Sequence, residues 1–335
     1  MHRVLIFGGT PLAQRLAYYL KAYSEAKDIE TTVIRRELDS TATLHDIQRD
    51  VWNTYVADSE GRASLIINAH EQDKLVLCET DPTTAWRSNT RHAAWITYAA
   101  RTANVPLLLV SSDHVFRGAS GPYADDREMA TETPINVYGV TKWYAERIAE
   151  HLYPKHQPVE YDPSEMLPGT TIVRTSDLYG RDVPESSPAQ LTHEERAAEG
   201  VEYHTHGVIR DPSKLSPSFI GEVAFLMARN ILLSPQSLNH STIHIAPGGP
   251  LFVDWATFLH QMGADVIYQG VGELSNKEKT RANPSAYVHR QGKVRGLTAS
   301  SGWVLPADPK KSWGDFLSEY RPEGRFQYIR YWDAD

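Results

Sequence analysis

The amino-acid sequence predicts an α/β protein built on a doubly wound parallel sheet, followed by a smaller C-terminal α/β domain. Short apolar strands alternate with amphipathic helices up to about residue 180, as in parallel strands joined by right-handed crossovers. Glycine or polar residues follow three of these strands, at Gly8, Asn68 and the pair Ser111 and Ser112. The carboxyl ends of parallel strands meet at one edge, where ligands bind. The sequence therefore predicts a single ligand-binding edge.

Composition limits the kind of partner. The chain has 335 residues, of which 41% are apolar, enough to bury a large core. Its 34 basic and 42 acidic residues give a formal charge of -8 without long blocks of one sign. This excludes the basic surface that nucleic acids or anionic membranes require. We therefore expect a small-molecule partner, with neither nucleic acid nor membrane involved.

The single cysteine and the N-terminal sequence bear on location. Cys78 stands alone, which excludes an internal disulfide framework, and its apolar and acidic surroundings predict a core residue rather than a nucleophile. The N terminus lacks a signal-peptide pattern, and no apolar run approaches membrane-spanning length. We expect a cytoplasmic protein.

A glycine-rich turn follows the first predicted strand, Val4 to Phe7, and an amphipathic helix follows the turn. In a dinucleotide-binding fold, such glycines let backbone N–H groups approach a pyrophosphate at the positive end of the helix. The expected dinucleotide contacts here are Gly8, Gly9, Thr10 and Leu12. The stretch GGTPLA, which starts at Gly8, fits the three-glycine pattern of this fold in one of two imperfect ways. If Ala13 fills the third glycine position, the stretch is one residue too short. If no gap is allowed, Pro11 and Gln14 stand where the pattern has glycines. The alternative is a strand, turn and helix that only pack together.

Two arginines, Arg35 and Arg36, end the second predicted strand, which begins at Thr31. They stand where the adenosine ribose of a dinucleotide lies. Two guanidinium groups there favour a 2′-phosphate, hence NADP as the cofactor, with NAD as the other option. Solvated surface arginines are the alternative.

The remaining elements follow from hydrophobic spacing. They are a helix over Leu44 to Tyr55, a strand over Ala63 to Asn68, a loop (AHEQDKLVLCE) and a long helix from about Pro82 to Ala103. The long helix is predicted to turn Trp86, Asn89, Ala93, Ile96 and Ala100 inward. Later elements are strands over Thr170 to Arg174 and Thr242 to Ile245, and helices over Phe219 to Leu233, Trp255 to Met262 and around Trp313 to Tyr320.

From Arg181 the composition changes to a loop-rich stretch of proline, serine and charged residues that could cover a site. We predict a dinucleotide-binding domain over residues 1–180 and a mainly substrate-binding domain over residues 181–335, with segments interleaved back into the first. In the polar stretch, His204 and His206 could share one face, but no further ligand completes a set. No metal site is predicted.

Residues 107–150 carry the densest chemistry of the chain. A strand from Pro106 ends in Ser111 and Ser112, and after a polar loop Tyr138 and Lys142 lie four apart at the start of a helix. Such a pair shares one helical face. A lysine ammonium can lower the pKa of the phenol beside it, and a serine hydroxyl can orient the same substrate oxygen. The set predicts a proton donor, against the alternative of an ordinary exposed helical pair.

Together these motifs resemble those of the extended short-chain dehydrogenase/reductases. Within them they resemble the dTDP-4-dehydrorhamnose reductase-like branch, which also includes the non-catalytic beta regulatory subunit of methionine adenosyltransferase. SSDHVF and the later GPY are similar to STDYVFDG and GPY, NVYGVTKWYAE to YGxSKxxGE, and RTSDLYG to RTSxxYG. NAHEQDKLVLCETDP follows NAAAYTxVDxCExDP, LSPSFIGEVA resembles SPTxxxDLA, and TRANPSAYV resembles RPxxSxL. The resemblance covers nearly the whole chain.

The resemblance implies a Rossmann-like fold and NAD(P)-dependent reduction of a keto group on a nucleotide-linked deoxysugar or related polar substrate. Ser112 would orient the carbonyl, Tyr138 would protonate its oxygen, and Lys142 would bind the nicotinamide ribose. The other implied cofactor contacts are Asn68, Ala69, Asn89, Ser111 and Thr175.

Three departures from the branch fall where a sugar nucleotide would sit. His114 replaces the tyrosine of STDYVF, and Asp73 and Val76 replace the threonine and the aspartate of AYTxVD. Of these, His114 and Asp73 are the candidate substrate contacts. Simple packing is the alternative for His114. The alternative function is a non-catalytic NADP-binding regulatory subunit; a pseudo-enzyme that binds no dinucleotide is a third. A homodimer or a regulatory partner protein would fit the resemblance.

Overall fold

The computed structural model describes the parts of the chain that form the sheet, its helices and the predicted site. The described residues are 2–55, 63–118, 121–124, 134, 136–155, 166–176, 178–179, 208–209, 216, 218–239, 242–248, 267–268 and 297–305.

Strands and helices alternate through the first part of the described chain. They are β1 (His2–Phe7), α1 (Pro11–Ala26), β2 (Thr31–Arg36), α2 (Leu44–Tyr55), β3 (Ala63–Asn68), α3 (Leu75–Thr80), α4 (Pro82–Ala85), α5 (His92–Ala103), β4 (Leu107–Ser112), α6 (Val137–Leu152) and β5 (Thr170–Thr175). The later elements are β6 (Leu178–Tyr179), β7 (Val208–Ile209), β8 (Ser218–Phe219), α7 (Ile220–Leu233), β9 (Thr242–Pro247), β10 (Ile267–Tyr268) and β11 (Val304–Leu305). A π-helical segment, Trp86–Arg91, joins α4 to α5, and 3-10 turns cover Asp113–Val115 and Pro235–Leu238.

Within the described residues, seven strands form one sheet in the order β2-β1-β3-β4-β5-β9-β11. Every neighbouring pair in it is parallel. The strand β1 pairs with β2 on one side and β3 on the other, so the winding of the chain reverses there. In such sheets a crevice opens at the carboxyl ends of the two strands flanking the reversal. The predicted doubly wound parallel fold is confirmed.

Both faces of the sheet are covered by helices, and β1 divides its side chains between them. Val4 and Ile6 belong to the core that α1 and α7 form on one face, whereas Leu5 and Phe7 belong to the core under α2 and α5. Successive strand residues point to opposite faces, so a central parallel strand must be apolar throughout. This explains the unbroken apolar run in the sequence.

Local signals fix the start of the helix that carries Tyr138 and Lys142. The Asn136 side chain caps α6 by accepting a hydrogen bond from the Gly139 N–H at 2.6 Å. A Cβ at Gly139 would overlap the carbonyl oxygen of His114. Only glycine therefore lets the first turn of α6 lie against the end of β4, which brings Tyr138 to the edge of the sheet.

Two details of the predicted elements are wrong. The stretch after β3 is not entirely loop, because Leu75–Thr80 forms α3, where Cys78 and Leu75 pack beside Tyr138. The long helix exists, but Trp86 is 38% exposed and stacks near Tyr144 instead of facing inward. The π-helical turn changes the helical phase between Trp86 and the buried Asn89.

The prediction that Cys78 is a core residue is confirmed. Its side chain is fully buried, and burial raises the pKa of its thiol to about 12. A thiol of that kind stays protonated and is a poor nucleophile.

Several other predictions lie outside the described residues: the helices at Trp255 to Met262 and Trp313 to Tyr320, and the His204 and His206 pair. The strands β9 and β11, which come from beyond residue 181, lie in the main sheet. The division into two domains stays a prediction. None of the described helices is long and apolar enough to cross a membrane.

Candidate active site

The turn after β1 has the geometry that close approach of a ligand's phosphate requires. Gly8 has a φ of +141°, and a Cβ there would lie 2.5 Å from the carbonyl oxygen of Ala69. Thr10 caps α1: its hydroxyl accepts from the Ala13 N–H at 3.2 Å and donates to the Ala69 carbonyl at 3.1 Å. The turn and the residue after β3 are thus held together at the positive end of a 16-residue helix. The residues present fit a dinucleotide, despite the short motif.

The two arginines at the end of β2 differ in what they contact. The Arg35 guanidinium donates to the Gly8 carbonyl at 3.3 Å and to Glu37 at 2.5 Å. Arg36 lies 3.6 Å from Asp50, with about half of its side chain exposed. Strand alternation explains the difference, because neighbouring residues point to opposite faces. Arg35 is therefore directed toward the glycine turn, and Arg36 toward α2.

Asn68, Ala69 and Asn89 hold the backbone at the end of β3. The Asn68 side chain accepts from the His70 N–H at 3.1 Å. The Asn89 carboxamide accepts from the Gln72 N–H at 2.7 Å and donates to the Gln72 carbonyl and the Thr141 hydroxyl. Asn89 thus connects the loop after β3 to α6. Contact of Asn68, Ala69 or Asn89 with a cofactor stays a prediction.

The end of β4 presents two serines with different partners. The Ser112 hydroxyl donates to Asp113 at 3.3 Å and accepts from the His114 N–H. Asp113, fully buried, also accepts from Ser176 at 2.8 Å, just after Thr175 at the end of β5. The Ser111 hydroxyl is buried and has no hydrogen-bond partner in the described structure. A buried hydroxyl without a partner is costly, which suits a ligand contact at Ser111.

Tyr138 and Lys142 meet at one carboxylate. The Tyr138 hydroxyl donates to Glu71 Oε2 at 2.9 Å, and Lys142 Nζ donates to the same oxygen at 2.8 Å. Lys142 also donates to the Val110 carbonyl at 2.7 Å, which fixes it against β4 two residues before Ser112. The structure thus joins Tyr138 and Lys142 through Glu71 and holds Lys142 against the strand that ends in Ser112.

The protonation of Tyr138 differs from the expectation. Burial raises the pKa of its phenol well above the usual range, and the charges of Glu71 and Asp73 add to the effect. The direction is opposite to the expected lowering of the Tyr138 pKa, because burial and the neighbouring carboxylates disfavour the phenolate. A raised pKa keeps the phenol protonated, as a proton donor must be.

His114 and Asp73 surround Tyr138. The His114 ring is buried, lies edge-on to the Tyr138 ring at 5.3 Å between centroids, and has Nδ1 3.1 Å from the Asn136 carboxamide. Asp73 acts on Tyr138 through its charge. Contact of either residue with substrate stays a prediction.

Sequence reasoning missed three residues of this site: Glu71, Asp113 and Glu37. A signal for Glu71 existed, because it stands at an alanine position of the NAAAYTxVD pattern. Glu37 follows Arg36, and its carboxylate carbon would lie 3.1 Å from a Cβ at Gly9.

No group of residues in the described part of the chain could hold a metal ion.

A family model described as the RmlD substrate-binding domain matches residues 1–199, more than half of the chain. The chain belongs to this family. A dTDP-4-dehydrorhamnose reductase of Streptomyces griseus is 32% identical over 130 residues, 38% of this chain and 37% of that protein. A dTDP-4-keto-6-deoxy-D-glucose reductase of Streptomyces niveus is 30% identical over 141 residues, 42% of this chain and 43% of that protein. Each match spans less than half of the relative's length.

Solved structures share the fold over nearly the whole chain. A dTDP-4-dehydrorhamnose reductase from Clostridium acetobutylicum superposes with a TM-score of 0.65, covering 94% of this chain and 98% of that one at 18% identity. The enzyme from Bacillus anthracis, solved in complex with NADP, gives 0.64, with 96% and 100% covered at 17% identity. An L-threonine dehydrogenase from Clostridium difficile gives 0.62, with 97% and 99% covered at 16% identity. Reductases and dehydrogenases of different substrates thus share this architecture.

Proposed function

We propose that the protein is an NADP-preferring reductase of a keto group on a nucleotide-linked deoxysugar or related polar substrate. The observation that carries the proposal is the convergence of Ser112, Tyr138 and Lys142 at the carboxyl edge of the sheet. The glycine turn and the start of α1 lie at the same edge. The dTDP-sugar reductases among the relatives support the substrate class.

The chain's own groups have distinct tasks in this reaction. When bound, NADPH would supply a hydride to the carbonyl carbon. Ser112 would donate a hydrogen bond to the carbonyl oxygen, which develops negative charge as the hydride arrives. Tyr138 would give its proton to that oxygen, so that an alcohol forms, and water would reprotonate the phenolate. Lys142 would hold the nicotinamide ribose and stabilise the phenolate between these steps.

A non-catalytic NADP-binding regulatory subunit is the second candidate, and one observation favours it. The only proton of the Tyr138 hydroxyl is directed at Glu71, and the Lys142 ammonium is bound to the same oxygen. A protein that only binds the dinucleotide has no need of a free proton donor. Its partner would then be another protein chain.

Titration of the purified protein with NADPH and NADH, followed by nicotinamide fluorescence, separates these functions. We expect binding of both, with tighter binding of NADPH. Addition of 4-keto nucleotide sugars should then oxidise NADPH. Binding without oxidation by any member of the panel would favour the regulatory subunit, and failure to bind either dinucleotide would contradict both.

A further inference from the structure

Glu71 binds two of the three side chains that the proposed reaction uses, Tyr138 and Lys142. Its Oε2 accepts the Tyr138 proton at 2.9 Å and a proton of the Lys142 ammonium at 2.8 Å. A phenol has one proton to donate, so in this arrangement Tyr138 cannot donate to a substrate oxygen. Lys142 donates one of its three N–H bonds to Glu71 and a second to the Val110 carbonyl, which leaves at most one for a ribose hydroxyl.

The three side chains differ in freedom. Tyr138 and Lys142 are buried on α6, and Lys142 is also bound to the Val110 carbonyl at 2.7 Å. Glu71 lies in the segment between β3 and α3, outside any helix or strand, and 14% of its side chain is exposed. Rotation about the side-chain bonds of Glu71 would therefore carry its carboxylate toward water without moving α6.

The backbone beside Glu71 is held in place. The next residue, Gln72, is bound at both its N–H and its carbonyl by the Asn89 carboxamide, and Asn68 accepts the His70 N–H. Release of Glu71 thus requires a change of side-chain rotamer and leaves the loop where it is. Such a change breaks two charge-assisted hydrogen bonds and restores the hydration of the carboxylate.

We propose that Glu71 is a built-in competitor for the dinucleotide at Lys142, and that the site becomes competent only when this carboxylate turns away. The inference rests on the proposed function, because it assigns Lys142 to the nicotinamide ribose. The apparent affinity for the dinucleotide equals the affinity of the released state multiplied by the fraction of protein in which Glu71 has released Lys142. Glu71 would thereby set both cofactor affinity and the fraction of protein ready to react.

Graded substitution of Glu71 tests the proposal through binding alone. NADPH is titrated into the wild type, Glu71→Gln and Glu71→Ala, with nicotinamide fluorescence as the readout. We expect Glu71→Ala to bind NADPH about tenfold more tightly than the wild type, with Glu71→Gln between them. The neutral amide keeps the shape but loses the ionic attraction to Lys142.

Glu79→Gln is the matched control. Glu79 is another carboxylate beside this cluster and accepts the Val137 N–H at 2.7 Å, a bond that the glutamine carbonyl retains. The substitution removes the same unit of charge without touching Tyr138 or Lys142. If NADPH affinity rose equally in Glu79→Gln and Glu71→Gln, general charge repulsion would explain it, and the competitor role would be wrong.

Lys142→Met supplies the second comparison. In that background Glu71 has no ammonium to hold, so we expect Glu71→Ala to leave NADPH affinity unchanged. Melting temperatures of all variants verify that they are folded, and Glu71→Gln keeps the test intact should Glu71→Ala unfold.

The outcomes separate the inference from the proposed function. Equal or weaker NADPH binding by Glu71→Ala and Glu71→Gln, with binding by the wild type intact, overturns the competitor role alone. Absence of NADPH binding in every variant overturns the proposed function and the inference together. Binding that appears only after substitution of Glu71 supports both.

Discussion

Lys142 and Glu146 lie one turn apart on the same face of α6, and their ion pairs differ in kind. Glu146 forms a two-point pair with Arg174, with Oε1 accepting from Nε at 2.9 Å and Oε2 from Nη2 at 2.8 Å. Both side chains are almost completely buried. Lys142, by contrast, meets a single oxygen of Glu71 at the edge of the site.

Arg174 has two further buried neighbours besides Glu146. Its Nη1 lies 3.2 Å from His244 Nε2, and its guanidinium stacks over the Phe116 ring at 5.0 Å. Because arginine only donates, His244 Nε2 must accept, so His244 Nδ1 carries the proton and donates to the Tyr123 carbonyl at 3.1 Å. This network joins α6, β5 and β9 without access to water.

The difference distinguishes an ion pair that stabilises the fold, Glu146 with Arg174, from one that belongs to the candidate active site, Lys142 with Glu71. A bidentate buried pair with satisfied neighbours has no low-energy alternative, because separating it leaves a charge in the core. A pair that shares one oxygen at a partly exposed carboxylate has an alternative in water. We therefore expect the Glu146 pair to determine stability and the Lys142 pair to determine binding and reaction.

The largest expected effect is on stability. Glu146→Ala should lower the free energy of unfolding by about 3–5 kcal/mol, because it leaves the Arg174 charge buried and unpaired. Urea denaturation measures the change. Glu150→Ala is the control on the same helix, since its pair with Arg147 is partly exposed, at 31% and 42% of the two side chains, and should contribute less than about 1 kcal/mol. Similar losses in both variants would remove the distinction between core and surface pairs.

Tyr138→Phe tests the candidate active site, where we expect an effect on turnover instead of stability. We expect turnover to fall by about 10²–10⁴-fold, because the proton donor is lost, while NADPH affinity and the unfolding midpoint change little. Steady-state rates and fluorescence titration provide the two readouts. Tyr144→Phe, an exposed tyrosine on the same helix, should retain full turnover. A Tyr138→Phe variant that keeps most of the rate would contradict the proton-donor role.

Arg35 and Arg36 give a smaller, selective effect. Arg35→Ala should weaken NADPH binding by about tenfold more than NADH binding, because the guanidinium facing the glycine turn is the one able to bind a 2′-phosphate. Arg36→Ala should affect the two dinucleotides equally, since Arg36 leans toward Asp50. Equal losses of NADPH and NADH affinity in Arg35→Ala would show that this residue does not select the cofactor.

The last prediction compares the two ion pairs of α6 by their contribution to stability. Glu71→Ala should cost only about 1–2 kcal/mol of unfolding free energy, because water can reach the Lys142 ammonium once the carboxylate is gone. Urea denaturation beside Glu146→Ala measures the contrast. A loss as large as that of Glu146→Ala would mean that the Lys142 pair is also part of the core structure.

Patterns along the chain predict six of the seven strands of the main sheet; the two-residue strand β11 is missed. Short apolar runs located β1, β3 and β4, because a parallel strand buried on both faces favours apolar side chains. The i, i+4 spacing placed Tyr138 and Lys142 on one face, since helical periodicity is local. The short glycine motif still gave the right turn, because Gly8 alone occupies the position that demands a positive φ.

What the sequence could not predict depends on contacts between distant residues. Tyr138 and Glu71 are 67 residues apart, so no local pattern indicates that a carboxylate accepts a hydrogen bond from the phenol and adds to the rise of its pKa. A regular helix would turn Trp86 inward. The structure has a π-helical turn there instead, and it accompanies the hydrogen bond from Asn89 to Thr141. The short helix α3 depends on burial of Cys78 beside Tyr138, which is likewise a tertiary effect.

The most direct test of the central claim is hydride transfer itself. The wild type would be incubated with NADPH carrying deuterium on the transferred position and with a 4-keto nucleotide sugar, and the product examined by mass spectrometry. We expect an alcohol that carries the deuterium on the former carbonyl carbon, formed about 10²–10⁴-fold more slowly by Tyr138→Phe. NADPH binding by the wild type without any deuterium in a product from the whole panel would contradict this expectation.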